Sequence, residues 1–270
     1  MIDQSNVPLL AARLRRYCFA YTASHDPTVC DDIMVEDYVL HMGEFDIRGR
    51  DANYKPAAEK QYRQFPGLGM SVHDLLVTPT RAALHFSEYG RSVLTGTSAV
   101  WNGISLYHWD GDRLTDCRVE QDYFARRRQL ESGTPNAILP PELDPWTAPV
   151  EVPDPKVEAV TREWLLDGGL ARLALGSLDD EAVAQPGRIQ LDSPHADILD
   201  CFSGQDRAAF HARLTGTIAT WVNGSADMIG APAVVYYTGF TGVVDGEVIQ
   251  ARAISDRLAA ERRVKAARSS

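Results

Sequence analysis

The chain has 270 residues, 44% apolar and 24% charged, with a formal net charge of −10. These proportions fit an ordinary soluble globule of one large or two small domains. No apolar run approaches the roughly 20 residues of a membrane helix, the start MIDQSNVPLLAARLRR lacks a signal-peptide pattern, and the acidic balance argues against nucleic acid, which selects a basic surface. The basic cluster Arg262–Arg268 reads as a solvated helix end. Cys18, Cys30, Cys117 and Cys201 form no CxxC pair and have no metal-ligand spacing. They read as buried thiols in a reducing cytoplasm, the expected location.

In chain order, Leu10, Leu14, Tyr17, Cys18 and Tyr21 recur at helical spacing and predict an opening helix. His25-Asp26-Pro27 ends it. VEDYVLHMGEFDIRGRDA reads as short extended segments around a turn at Gly43. Asp51 is the expected N-cap of a helix to about Phe65, and Pro66-Gly67 stops it. The pattern then changes to strands: MSVHDLLVTP, RAALHFSEYG, SAVWNGISLYHW and RLTDCRVEQDYF. Thr78-Pro79-Thr80 and Asp110-Gly111-Asp112 mark turns between them. Helices followed by an antiparallel meander define an α+β plan.

Residues 133–155, GTPNAILPPELDPWTAPVEVPDP, hold seven prolines. Each lacks a donor and fixes φ, so the stretch reads as a linker, with Trp146 pinning it to a surface. The expected organisation is a complete domain over 1–132, this linker, and a trimmed domain over 156–270. In the latter, Lys156–Leu166 is helical, with Val157, Val160 and Trp164 on one face. SPHADILDCFSGQDRAAF echoes VLHMGEFDIRGRDANY, which predicts a helix over Asp206–Trp221 matching that over Asp51–Phe65. VVYYTGFTGVVDGEVIQARAISD matches the last two strands of the first half. Asp51 to Asp122 spans 71 residues and Asp206 to Asp256 only 50, a shortfall of about one hairpin.

The stretch RGRDANYKPAAEKQYRQFPGLGMSVHDLLVTPTRAALHFSEYG, followed by VWNGISLYHWDGDRLTDCRVEQDYFARRRQL, resembles the SnoaL-like polyketide cyclase family of the nuclear-transport-factor-2-like superfamily. The matching features are Gly-x-Asp opening the second helix, FPGL closing it, and a strand-turn-strand ending in Asp-Tyr-Phe. The likeness covers roughly residues 9–130. It implies two cone-like domains, each with helices packed in a curved antiparallel sheet around a pocket. It also implies work without a metal or organic cofactor, and a homodimer. In such cyclases an Asp near the end of the final strand acts as general acid/base with histidines nearby. The positions here are Asp122, His108 and His41.

In a strand over 117–122, Arg118, Glu120 and Asp122 share one face. Asp122 stands as proton shuttle or as N-cap of the following helix. If it is the shuttle, Asp122→Asn lowers kcat by about 10² or more; an unchanged rate with a lower Tm makes it a cap. Arg118 reads as an oxyanion or phenolate partner or as half of a salt bridge, and Glu120 as a second carboxylate or as the other half. Asn102 and His108 share a face of the preceding strand with Ile104 and Leu106, an apolar wall with two polar groups. Tyr21, Tyr38 and Tyr54 could face an aromatic substrate or fill the core. His85 could sit on a pocket face or an outer one. His195, Arg252 and Asp256 occupy comparable positions in the second half, with a structural or pocket-covering role expected.

There is no GxSxG elbow, no GxGxxG after a strand, no phosphate loop and no HExxH. These residues predict a cofactor-independent enzyme using general acid/base catalysis on a phenolic or polyketide-like substrate. The bond change is an aldol-type cyclisation or a retro-aldol or dehydrating lyase step, such as deformylation. The alternative is a non-catalytic ligand-binding or assembly module, favoured if Trp101, Tyr107 and Phe86 fill the first cone. Epoxide hydrolysis, which needs paired carboxylates such as Glu120 and Asp46, ranks third.

Overall fold

Helix α1 (Leu9–Arg16) starts after Pro8 and buries Leu10, Ala11 and Leu14. In the computed structural model, which describes residues 7–172, 188–221 and 224–269, it passes into a wider π-helical segment over Tyr17–Ala23. Residues 1–6 of the predicted N-terminal pattern, with 173–187 and 222–223 of the second half, lie outside the described residues. Short α2 (Thr28–Ile33) follows Pro27, and β1 (Met34–Met42) turns at Gly43, φ +57°, into β2 (Phe45–Arg48). A second π-helical segment (Arg50–Tyr54) opens α3 (Lys55–Gln64). Asp51 does not cap it. Its carboxylate pairs with Arg50 and Lys55 instead, and their hydrogen bonds, with a smaller contribution from their charges, hold its pKa at about 2.

The four expected strands of the meander form as β3 (Gly69–Val77), β4 (Arg81–Arg91), β5 (Ser98–Trp109) and β6 (Leu114–Gln121). The six-stranded sheet runs β2-β1-β6-β5-β4-β3. It is antiparallel except where β1 joins β6 in parallel, an arrangement that needs the intervening helices and strands as its crossover. Helix α4 (Tyr123–Ser132) follows directly. The proline-rich stretch has no long element, only a helical turn over Pro145–Thr147. Trp146 anchors it, buried in the core and edge-on to Phe19.

The chain divides into two compact units, Met1–Val119 with Arg128–Val152, and Glu120–Arg127 with Pro153–Ser270. The second holds α5 (Pro155–Leu166), short α6 (Gly169–Arg172), and β7 (Ile189–Ser203), β8 (Arg207–Trp221), β9 (Pro232–Val244) and β10 (Glu247–Ser255) in one antiparallel meander, then α7 (Arg257–Ser269). The helix expected over Asp206–Trp221 is a strand. Phe210, Ala212 and Leu214 alternate into the core, and the β-branched run Thr215, Thr217, Ile218 and Thr220 suits a pleated surface better than a helix. Among the described residues, the echo of the first half holds for the final hairpin and its helix.

In the first unit, one sheet face packs on the helices. Trp101, Tyr107 and Phe86 are buried there, as are Cys18, Cys30 and Cys117. Burial pushes the Cys30 thiol up to about 12 and raises Cys18 and Cys117 as well. Only thiolates react quickly. The native protein is therefore expected to resist a disulfide-exchange reagent at neutral pH and to label at its four buried thiols after denaturation. Fast labelling of native Cys30 would contradict this packing.

Candidate acid-base site

Strand alternation sends neighbouring side chains to opposite faces. On β5, Tyr107 points to the helix-packed face, while Asn102, Ile104, Leu106 and His108 share the other, as the spacing predicts. On β6, Cys117 joins the helix-packed core, leaving Asp116 and Arg118 on the opposite face. The parallel register of β1 places Val39 beside Asp116 and His41 beside Arg118, and β2 sets Asp46 against His41. His41, Asp46, His108, Asp116 and Arg118 therefore gather on one face of one sheet.

Two histidine–carboxylate pairs form there. His41 Nδ1 lies 2.6 Å from Asp46 Oδ1, and His108 Nδ1 lies 2.8 Å from Asp116 Oδ1. Arg48 also reaches Asp46, and Thr115 donates to Asp116 Oδ2 at 3.1 Å. Burial opposes ionisation of Asp116, but the hydrogen bond and charge of His108, Thr115 and the charge of His41 together hold its carboxyl below the usual range. The same opposition, with His41 and Arg48 prevailing, holds Asp46 low. Ionised carboxylates only accept, so each histidine donates from Nδ1. That fixes one tautomer and leaves Nε2 as the nitrogen that takes up or releases a proton. His108 is 35% exposed and His41 19%, so both can meet a solute.

An acid whose folded pKa is depressed stabilises the fold above its unfolded value and loses that contribution as pH falls through the folded value. Asp116 is such a group. Wild-type stability is therefore expected to drop as pH falls below about 4. Asp116→Asn should flatten that part of the urea-denaturation profile measured from pH 5 to pH 2. An identical acid limb in the variant would remove Asp116 from the account.

The other predicted residues lie elsewhere. Tyr21, Tyr38 and Tyr54 are on the helix-packed face, so they share no pocket with His108. Tyr54 meets Tyr38 at 5.2 Å and Tyr21 at 6.0 Å between ring centroids. Asn102 and His85 share the face of His108 but sit in a buried network. Ser87 Oγ is 2.5 Å from Asn102 Oδ1 and 2.7 Å from His73 Nε2; His73 Nδ1 lies 3.0 Å from the Pro140 carbonyl, and its ring is 4.9 Å from that of His85.

Asp122 and Glu120 belong to the second unit. Asp122 accepts from Ala125 N–H at 3.1 Å, capping α4, and both its oxygens meet Arg257 Nη2 at 2.6 and 2.5 Å. Glu120 Oε1 lies 3.0 Å from His211 Nε2, and both side chains are buried. Asp256 takes Tyr236 N–H at 2.8 Å and Arg263 at 2.5 Å. Burial, with the charge of Glu120, pushes Asp256 well above the usual range. His195 is exposed, 3.6 Å from Asp197, and Arg252 lies on β10 opposite Phe240. The charged face of 118–122 is thus filled at Glu120 and Asp122 by buried partners rather than by an open pocket.

Asp116 was not singled out in the sequence. It stands two residues before Arg118, so the alternation that linked Arg118 to Glu120 and Asp122 extends backwards to it. No periodicity signals the β1–β6 pairing that brings His41 and Asp46 alongside.

Among the described residues, no group of three or more His, Cys, Asp or Glu could hold a metal ion, and no helix is long and apolar enough to cross a membrane. The described residues form an α+β protein with a six-stranded and a four-stranded sheet, and two histidine–carboxylate pairs on one face of the first. The model of the SnoaL-like domain matches residues 14–117, within the first unit. No curated protein matches the chain. Similar solved structures include a protein named for SnoaL-like polyketide cyclases from Jannaschia sp. CCS1 (12% identity, 49% of this chain and 98% of that one, TM-score 0.41). Another, named for polyketide cyclases, comes from Acidithiobacillus ferrooxidans (20% identity, 49% and 99%, TM-score 0.41). A third is an LEH-like epoxide hydrolase from M. tuberculosis (13% identity, 47% and 92%, TM-score 0.41). Likeness at these identities assigns no activity.

Proposed function

We propose that the first unit is a cofactor-independent enzyme that moves protons during a carbon–carbon or carbon–oxygen bond change on a phenolic or polyketide-like substrate. The observation that carries this reading is the pair of histidines, each held through Nδ1 by an ionised carboxylate, beside Arg118. In the aldol sense, His108 Nε2 removes a proton from the carbon next to a carbonyl, and Arg118 balances the enolate charge. The new carbon–carbon bond forms as the enolate attacks a second carbonyl, and the alkoxide takes a proton from the His41 imidazolium. The retro-aldol direction runs the same transfers backwards. We read the second unit as a trimmed relative of the first, and the assembly as a homodimer.

A second reading, a ligand-binding or assembly module without chemistry, is favoured by the helix-packed face, where Trp101, Tyr107 and Phe86 fill the interior. Epoxide hydrolysis ranks lower because Asp46 and Asp116 are each committed to a histidine. The test is incubation of the full chain with a panel of phenolic dimers and polyketide mimics, with product detected by mass. Turnover that disappears in the double variant His41→Asn/His108→Asn supports the enzyme. Binding without turnover across the panel supports the module.

A further inference from the structure

The two histidine–carboxylate pairs repeat one arrangement across the sheet. In the first row, His41 on β1 stands between Asp46 on β2 and Arg118 on β6, each in direct cross-strand register with it. In the second, His108 on β5 stands between Asp116 on β6, its hydrogen-bond partner, and Arg81, the first residue of β4. Each row thus runs carboxylate, histidine, guanidinium over three neighbouring strands. The register of β4 with β5 is unbroken from Arg81 opposite His108 to Arg91 opposite Ser98. Arg81 therefore shares the face of His108, as residues directly opposite in a ladder do.

The local backbone holds Arg81 in place. Its N–H donates to Thr78 Oγ1 at 3.0 Å, and its carbonyl accepts from the Thr78 N–H at 2.8 Å and hydroxyl at 3.2 Å. The side chain then leans over β5, where Nε donates to the Tyr107 carbonyl at 3.4 Å, one residue from His108. Arg81 is half-buried. An arginine so placed packs its aliphatic stem and keeps its charged end near water.

The order within the row has a chemical consequence. Asp116 holds the Nδ1 side of the His108 ring, and Arg81 stands on the other side, that of Nε2. A guanidinium keeps its charge at neutral pH and offers a carboxylate two parallel N–H bonds. Neighbouring strands lie about 4.8 Å apart. A carboxylate on Arg81 is then about that far from the atom at which His108 works, a separation that a few carbons of one small molecule span. We propose that Arg81 is a specificity residue of this site and binds a carboxylate of the substrate while the carbon beside the substrate carbonyl stands at His108 Nε2. The substrate class is an oxo acid rather than a neutral ketone or ester. This rests on the acid–base reading of His108, and it leaves Arg118 its place at the enolate oxygen.

The test is titration of the full chain with levulinate and with methyl levulinate, read by proton–nitrogen NMR of the histidine rings. The two probes share a ketone and differ in charge. Levulinate should bind about tenfold or more tightly than the ester and move the His108 resonances, because charge-assisted bonds are the strong ones. Added salt should weaken the acid and spare the ester. Arg81→Met should bind both alike, with Tm kept. Arg81→Gln, which retains donors without charge, should lose the preference too, and it decides the matter where Arg81→Met does not fold. Arg81→Lys should retain part of it, as a point charge without the fork. Equal affinity of the wild type for acid and ester, no binding of the acid, or an undiminished preference in the folded Met or Gln variant would overturn the proposal. Turnover is a separate readout. No turnover of any panel compound, with the acid preference present and lost in Arg81→Met, would remove the reaction and keep the carboxylate site. Turnover of neutral compounds that His108→Asn abolishes, with acid and ester bound alike, would keep the reaction and remove the carboxylate site.

Discussion

Arg257→Met is expected to lower stability by about 3–5 kcal/mol, the cost of breaking a buried ion pair from one side. Arg257 and Asp122 are 0% and 1% exposed, and one guanidinium nitrogen contacts both carboxylate oxygens. Arg257 also lies over the Phe124 ring, 4.8 Å from its centroid. Without the cation, Asp122 would keep the Ala125 N–H but stay buried without its counter-charge. Asp122→Asn should also destabilise, by less than Arg257→Met where the amide oxygen keeps the cap. The double variant Asp122→Asn/Arg257→Met should lose clearly less than the two single losses added, since neither charge is left alone. Urea denaturation of the four proteins measures this. Arg257→Met within 1 kcal/mol of wild type would mean that the pair is not buried in solution. The same set separates the two roles open to Asp122 in the sequence. A cap and ion-pair partner lowers Tm while the rate per folded molecule is kept; a proton shuttle loses the rate with the fold intact.

The strands of the first half were legible because they obey a two-residue period between turn-forming residues, and β5 runs from Ser98 to Trp109 as the pattern predicts. Proline chemistry is local, and the proline-rich stretch holds only a helical turn over Pro145–Thr147 among its described residues. Residues 206–221 misled because Ala and Leu suit a helix while the register with β7 and β9 is decided by tertiary pairing. Asp122 illustrates a different limit. Its place at the end of the last strand and start of a helix could be read from neighbours, but its partner Arg257 lies 135 residues away. The link of His41 to Arg118 likewise depends on a parallel pairing across most of the first unit. Faces could be assigned strand by strand, and so Asn102 and His108 were rightly placed together. Which face met the helices could not, and the tyrosines were therefore grouped with residues on the other side of the sheet.

His108→Asn is expected to lower kcat by about 10² or more, the usual contribution of a positioned acid-base group. The ring is about one-third exposed, so its loss should leave Tm nearly unchanged. Asp116→Asn keeps the shape of the partner but offers an amide that can donate as well as accept, so the tautomer of His108 is no longer fixed. A drop of about tenfold or more in kcat, with KM little altered, is expected, because tautomer and orientation act on the proton transfer rather than on binding. His41→Asn should fall in the same range if His41 returns the proton, and Arg118→Lys should cost less than Arg118→Met, since a cation of any shape still balances an enolate. These rates are read on whichever panel compound gives product. Wild-type kcat in His108→Asn would remove the histidine from the chemistry. A loss in Asp116→Asn without one in His108→Asn would place the carboxylate, not the imidazole, at the reacting atoms. Loss in both, with Tm retained, makes the hydrogen bond between them part of the catalytic apparatus rather than of the sheet.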